Sequence, residues 1–234
     1  MADGRARSGF NHNYAYHRYL LRQVPPGCDR ALDAGCGTGL FARRLARHAR
    51  SVDAIDRAPE VIAAARALSA STPNVRYIQA DLTGYELGSS RYDYIACIAS
   101  IHHMPFRPAI SRLREALAPG GVLVVIGCYR ETTPADYARD LAAIPANMAA
   151  NAIIKAMALR HGSSPARQVG TAPVMDAQMT LPEIKREALS LLAGAGIRRR
   201  LYWRYSLIYH HPPSRAGRPG TSSTGPSCPS GCRC

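Results

Sequence analysis

Hydrophobic and polar positions change period repeatedly along the chain. Residues 11–24 carry His17, Leu20, Leu21 and Val24 at i, i+3, i+4, i+7 spacing, which predicts an amphipathic helix stopped by Pro25-Pro26. Short apolar runs then alternate with helical stretches. Ala31-Leu-Asp33 reads as a strand, Leu40 to Ala49 as a helix, and Ser51 to Asp56 as a strand. Ala58 to Ser69 reads as an Ala-rich helix with Pro59 in its tolerant first turn, and Val75 to Gln79 as a strand. Tyr92 to Ala99 is expected to be a strand, Ala109 to Leu117 a helix and Pro119-Gly-Gly121 a turn. Val122 to Ile126 is apolar throughout, as in a strand covered on both faces.

Strands separated by helices of this length imply right-handed crossovers and a parallel sheet with helices on both sides. The predicted class is therefore α/β, a doubly wound and mostly parallel sheet. The rhythm breaks over residues 129–179, where four prolines interrupt helical stretches expected at 135–143 and 147–160. So long a segment after the fifth strand suggests a helical insertion that covers a substrate. Leu181 to Leu192 reads as a helix opened by Thr180 and Pro182-Glu183. Residues 197–210 form one long strand or two short ones, with no turn signal between them. Residues 212–234 hold five Pro, five Ser, four Gly, three Cys and three Arg, with no Leu, Ile, Val or aromatic residue. That composition predicts a disordered tail, leaving a single domain over 1–211.

Composition adds limits. The 234 residues are 47% hydrophobic and 20% charged, enough to bury a core. The net charge of +14 raises the prospect of a nucleic-acid partner, but 28 of the 30 basic residues are arginine, a bias that codon usage alone can produce. The longest aliphatic run is five residues, far short of the roughly 20 that a spanning helix needs, so no membrane anchor is expected. The N-terminus lacks the apolar stretch of a signal peptide. Cys28, Cys36, Cys97 and Cys128 are widely spaced and read as reduced thiols of a cytoplasmic protein. In the tail, Cys228, Cys232 and Cys234 do not form a paired C-x-x-C site, and no metal is expected.

The most specific stretch is Leu32-Asp-Ala-Gly-Cys-Gly-Thr-Gly39, which leaves a strand and opens a helix. Its glycines permit positive φ and a close ligand approach, or serve only a tight turn. Ligands of doubly wound sheets bind outside the carboxyl ends of the strands. The dinucleotide pattern G-x-G-x-x-G/A fails because the sixth position from Gly35 is Leu40, and no phosphate-loop lysine follows. Asp33 would repel a pyrophosphate and attract a cation. Asp56 ends the second strand 21 residues after Gly35, placed for ribose hydroxyls, for the cap of the helix behind Arg57-Ala-Pro-Glu60, or for both. Asp81 follows the third strand, where it can meet an adenine amino group or close a turn. A ligand with a ribose, an adenine and an ammonium group but no phosphates suits all three carboxylates.

These residues, with Val52-Asp-Ala-Ile-Asp56, Gln79-Ala-Asp-Leu82, Tyr92 to His103 and Leu113 to Val124, resemble the class I S-adenosylmethionine-dependent methyltransferases of the small type-11-like kind. Five blocks fall in order across residues 30–127. The resemblance implies a Rossmann-like sheet of seven strands with the last antiparallel, and S-adenosyl-L-methionine as cofactor. It implies that Asp33 lies near the cofactor's ammonium, that Gly35, Gly37 and Gly39 line its methionine portion, that Asp56 holds the ribose and Asp81 the adenine, and that Cys36 and Arg57 are further cofactor contacts. Leu82 and Ala99 complete the implied cofactor contacts.

Methyl transfer needs an oriented nucleophile, exclusion of water and, for some acceptors, removal of a proton. Ser100-Ile-His-His103 follows the fourth strand, and a free imidazole titrates in the right range for a base. His102 and His103 are therefore the catalytic candidates, His102 first, against a purely structural role for both. His17, Tyr14 and Tyr16 either cover the ligand or simply pack the first helix. Tyr129 and the 130–179 segment, with Met148, Met157, Met175 and Met179, suggest an apolar wall and a small, partly hydrophobic acceptor.

RNA methylation is the rival reading. The chain has neither an Asn/Asp-Pro-Pro-Tyr/Phe motif after the fourth strand nor a Pro-Cys nucleophile. Arg198-Arg-Arg-Leu-Tyr-Trp-Arg-Tyr205 can bind nucleic acid, or can alternate between a wet and a buried face of an edge strand. A cofactor-binding subunit without catalysis is the third possibility.

Overall fold

The computed structural model describes residues 12–130, 177–200 and 204–213. The helices expected at 135–143 and 147–160, most of the 129–179 cover, Trp203 and nearly all of the 212–234 tail lie outside the described residues.

Five parallel strands and a C-terminal hairpin form one sheet. The chain runs α1 (His12–Leu21), β1 (Arg30–Ala34), α2 (Leu40–Leu45), β2 (Ser51–Asp56), α3 (Pro59–Ala67), β3 (Val75–Gln79) and β4 (Tyr92–Ile98). A 3₁₀ turn (Ile101–His103), α4 (Phe106–Ala116), β5 (Leu117–Cys128), a helix here called α5 (Leu181–Leu191), β6 (Gly196–Arg200) and β7 (Arg204–His210) follow. The spatial order is β3-β2-β1-β4-β5-β7-β6, and β7 is antiparallel to both its neighbours. The expected doubly wound α/β sheet is therefore present, with the undivided 197–210 stretch resolved into two strands.

Strand alternation sends residues to two cores. Leu32, Ile95 and Leu123 pack with Ile110, Leu113 and Ile184 of α4 and α5. Ala31, Tyr94 and Val124 pack with Leu20, Phe41 and Ile62 of α1, α2 and α3. The Tyr94 hydroxyl donates to the Leu20 carbonyl at 3.0 Å, tying α1 to the sheet. Both faces of β4 and β5 are thus covered, which explains their unbroken apolar sequence.

Three boundaries differ from the periodic pattern. α2 stops at Leu45, because Arg47 and His48 bond back to Arg44 and Leu45 in tightened i→i+3 turns. α4 begins three residues early, at Phe106. Pro119-Gly-Gly121 does not separate helix from strand: β5 runs through it, and an irregularity opposite Tyr92 and Tyr94 absorbs the extra residues. α5 opens as expected, with the Glu183 carboxylate accepting from the Thr180 N–H and hydroxyl, both at 2.8 Å. No described helix is long and apolar enough to cross a membrane.

Candidate active site

The carboxyl ends of β1, β2, β3 and β4 bring the glycine turn and the acidic candidates to one edge of the sheet. Gly35, Gly37 and Gly39 have φ of +78°, +53° and +73°, left-handed values that favour glycine. A Cβ on Gly35 would run into the Ser100 side chain, and one on Gly39 into the Tyr77 ring, whereas one on Gly37 would meet nothing within 4 Å. Two glycines therefore permit close packing and the third faces open space. The turn hangs on β2, because the Gly35 and Cys36 N–H groups donate to the Ile55 carbonyl at 2.8 and 2.9 Å.

Asp56 is both anchor and candidate ligand. One carboxylate oxygen accepts from the Gly37 N–H at 2.9 Å, the other from the Ala58 N–H at 3.1 Å as α3 begins. A carboxylate offers about four acceptor positions, so capacity remains for a ligand.

Asp33 stands out electrostatically. It is 1% exposed, and its Oδ2 has no hydrogen-bond partner. Burial pushes its carboxyl up to about 7; the nearby Asp56 charge adds to the rise and the Ala42 N–H opposes it. An uncompensated buried carboxylate calls for a cation beside it.

Asp81 is exposed, and its Oδ1 closes a turn by accepting from the Thr83 N–H at 2.8 Å and hydroxyl at 2.6 Å. Those bonds, helped by the Arg57 charge, hold its carboxyl below the usual range. Arg57 also opposes protonation of His103, so its guanidinium lies in the field of both. Ala99 adopts φ +52° and donates to the Ile126 carbonyl at 2.7 Å. Leu82 is buried in the α4/α5 core, and the Cys36 thiol is buried against the Gly37 carbonyl.

His102 and His103 sit in the 3₁₀ turn with ring centroids 4.1 Å apart. Both line a hollow of about 380 Å³ whose apolar walls include Met104, Phe106 and Tyr205, with Cys128 at its edge. The Arg130 N–H donates to the carbonyl of Met179, which also lines the hollow, at 2.8 Å. Burial, then the His103 and Arg204 charges, push His102 down to about 4. Burial and Arg57 also lower His103. The rings are therefore neutral at pH 7 but weaker bases than a free imidazole. Each Nδ1 is buried without a hydrogen-bond partner.

His17 belongs to packing. It is buried, lies edge-on to Phe41 at 5.0 Å, and meets Arg44 through Nδ1 at 3.0 Å. Tyr16 packs against the same core, while the Tyr14 side chain is outside the described residues. Tyr129 is buried under the Arg199 guanidinium at 5.4 Å. Arg200 lies over Tyr19 at 4.5 Å, and Tyr205 is 1% exposed. Of the Arg/aromatic stretch, Arg199, Arg200 and Tyr205 therefore pack against their own protein, while Leu201, Tyr202 and Trp203 lie outside the described residues. Cys28, Cys36, Cys97 and Cys128 are free thiols, and no His, Cys, Asp or Glu cluster among the described residues has the make-up of a metal site.

Sequence reasoning missed Ser100 and Tyr77. The Ser100 hydroxyl donates to the Ala34 carbonyl at 2.8 Å and meets Cys97 at 3.1 Å, bracing the turn from β4. Tyr77 meets Ser69 at 2.7 Å and packs on Gly39.

Comparison with known proteins follows the same lines. A methyltransferase-domain family profile matches residues 31–121. A Mycobacterium tuberculosis protein known as an uncharacterized methyltransferase is 32% identical over 204 residues, covering 87% of this chain and 98% of its own. The ubiquinone biosynthesis O-methyltransferase of Xanthomonas axonopodis is 38% identical over 125 residues, 51% of each chain. In structure, the N-methyltransferase NodS of Bradyrhizobium japonicum with S-adenosyl-L-homocysteine superposes with a TM-score of 0.57, at 18% identity over 91% of this chain and 94% of its own. An Aquifex aeolicus SAM-dependent methyltransferase gives 0.54 at 15% identity over 82% and 88%.

Proposed function

The chain belongs to the class I S-adenosylmethionine-dependent methyltransferases, and from that membership we propose that it binds S-adenosyl-L-methionine at the glycine turn and methylates a small molecule held beside His102. The observation that carries this reading is the buried Asp33 carboxylate, whose Oδ2 has no hydrogen-bond partner, at a turn whose Gly37 side is open. It fits a ligand that brings its own positive charge. When bound, this cofactor supplies a methyl group on a sulfonium, an electrophile that needs no further activation.

The residues divide the remaining work. Asp33 accepts the ammonium, and the turn formed by Gly35, Cys36, Gly37 and Gly39 lies along the methionine portion. Asp56, with Arg57 behind it, holds the ribose hydroxyls. Asp81 meets the adenine amino group, with Leu82 and Ala99 bordering the base and the reacting end. Binding here is orientation, and orientation is most of what an in-line displacement requires.

His102 lines the acceptor hollow with a neutral ring. Such a ring accepts a hydrogen bond from a hydroxyl or amine and takes that proton as the acceptor atom forms its bond to the methyl carbon. His103 flanks it. The apolar walls exclude water from the reaction. The four cysteines among the described residues are free thiols, which suits a reducing, cytoplasmic setting.

The test is isothermal titration with S-adenosyl-L-methionine, then detection of S-adenosyl-L-homocysteine formed with a metabolite panel. Binding with turnover on a small molecule is expected. Absence of binding overturns the reading; binding with turnover only on RNA, or with none on any acceptor, overturns its second half.

A further inference from the structure

The glycine turn is fastened a second time where it passes into α2. Arg43, on that helix, takes two successive carbonyls of the turn. Its backbone N–H donates to Gly39 at 3.0 Å and its guanidinium to Thr38 at 2.8 Å. The same guanidinium nitrogen donates to the Ser69 hydroxyl at 3.2 Å, just past the end of α3.

Ser69 is buried, and its partners leave one arrangement of protons. Its hydroxyl lies 2.6 Å from the Ala65 carbonyl, which can only accept, so its single proton goes there. Its lone pairs then take Arg43 and the Tyr77 hydroxyl, the latter at 2.7 Å. Tyr77 therefore gives its proton to Ser69. The Gly39 carbonyl, 3.5 Å from that hydroxyl, is left to the Arg43 N–H. α2, α3 and β3 thus converge on the Thr38-Gly39 peptide, whose own N–H is spent on the Cys36 carbonyl at 3.0 Å.

Arg43 has two tasks open to it, to fasten the end of α3 through Ser69 or to fix the turn through Thr38. The bond to Thr38 is the shorter. It also reaches what β2 does not: Gly35 and Cys36 hang on Ile55, and Gly37 on Asp56, whereas Thr38 and Gly39 have no bond to that strand. A glycine-rich turn has the most backbone freedom to lose, and fixing it in advance lowers the cost of binding a ligand.

We infer that Arg43 is a positioning residue for the cofactor, acting through the Thr38 carbonyl to set the turn in its binding shape before the ligand arrives. This rests on the methyltransferase reading above and adds to it a residue that works without touching the ligand.

The experiment titrates the full chain with S-adenosyl-L-homocysteine by calorimetry, well below the Tm of every variant, so that affinity is read on folded protein. Arg43→Met keeps the apolar stem and removes the donors. It should weaken binding by about tenfold, the loss of one charge-assisted bond. Arg43→Lys keeps a cationic donor and should recover most of that loss. Ser69→Ala deprives Tyr77 of its partner but leaves the bond to Thr38. It should lower Tm by about 2–4 °C and affinity by less than about twofold. A purely structural Arg43 would make affinity follow stability, so Ser69→Ala weakening binding as much as Arg43→Met would overturn the inference. Unchanged affinity in Arg43→Met, or in Arg43→Gln should the first not fold, would overturn it too, as would a lysine no better than methionine. Failure of S-adenosyl-L-homocysteine to bind the wild-type chain would instead overturn the proposed function, so the two are separable.

Discussion

Gly37 and Asp56 are joined at 2.9 Å, backbone N–H to carboxylate, across the edge between β1 and β2. The bond makes the shape of the turn depend on the acid expected to hold the ribose. Asp56→Ala therefore strips an acceptor from Gly37 and Ala58 as well as from the ligand. Loss of a charge-assisted hydrogen bond of roughly 1.5–3 kcal/mol corresponds to a fall of about 10- to 100-fold in cofactor affinity. Titration calorimetry measures it, and unchanged affinity would remove Asp56 from the site.

Asp33 gives a stability that depends on pH. Its folded carboxyl titrates at about 7, above the usual value near 3.9 for an unfolded aspartate. The folded state thus holds more protons between those values, and stability from this group falls as pH rises through that window. In the cofactor-free protein, Asp33→Asn should gain stability relative to wild type between pH 5 and pH 8, by about 3 kcal/mol at most. Urea unfolding at both pH values reads this directly. The same substitution should weaken S-adenosyl-L-methionine binding, because the ammonium loses its carboxylate. An identical difference in stability at pH 5 and pH 8 would contradict the assignment.

Gly35 and Gly37 share a left-handed backbone but not an environment. Gly37→Ala incurs only the conformational cost, about 1 kcal/mol. Gly35→Ala must also displace Ser100, adding roughly 1–3 kcal/mol of overpacking. Ser100→Gly should recover part of that addition in a double-mutant cycle measured by thermal unfolding. Additive losses would show that the two residues do not share the space.

His102 predicts the form of a pH–rate profile. Its ring sits near 4, so the neutral form persists well below pH 6.5, and kcat/KM should fall only as pH drops toward that value. An inflection at pH 6.5 that disappears in His102→Gln would show a ring that titrates freely in the working enzyme. Removing a group that accepts a proton during transfer should cost about 10²- to 10⁴-fold, less in His102→Gln than in His102→Ala if the main task is orientation.

Much of this was readable from local pattern. β4 and β5 announce themselves because both their faces are buried. The glycine turn does so because positive φ leaves few alternatives to glycine. Asp33 and Asp56 follow from strand ends. Ser100 and Tyr77 do not, since their roles arise from contacts made 65 and 38 residues away in sequence, to Gly35 and Gly39. Burial moves the His102 titration by an amount that residue type cannot indicate. The β6–β7 hairpin stayed hidden because Leu201-Tyr-Trp203 carries no glycine, proline or asparagine.

The position of β7 bears on how the chain assembles during synthesis. β5 pairs with β7 from Val122↔His210 to Cys128↔Arg204, so 75 residues separate the two strands. Until the last of them leaves the ribosome, Val122 to Ile126 stands as an open, apolar strand edge. The glycine turn and its acids are already in place by then, because β1 to β5 are contiguous in sequence. Tyr205, Ile184 and Met179 arrive last, and with them walls of the hollow beside His102. A ribosome-bound chain ending before β7 would hold the glycine turn with an adhesive edge and without the hollow beside His102.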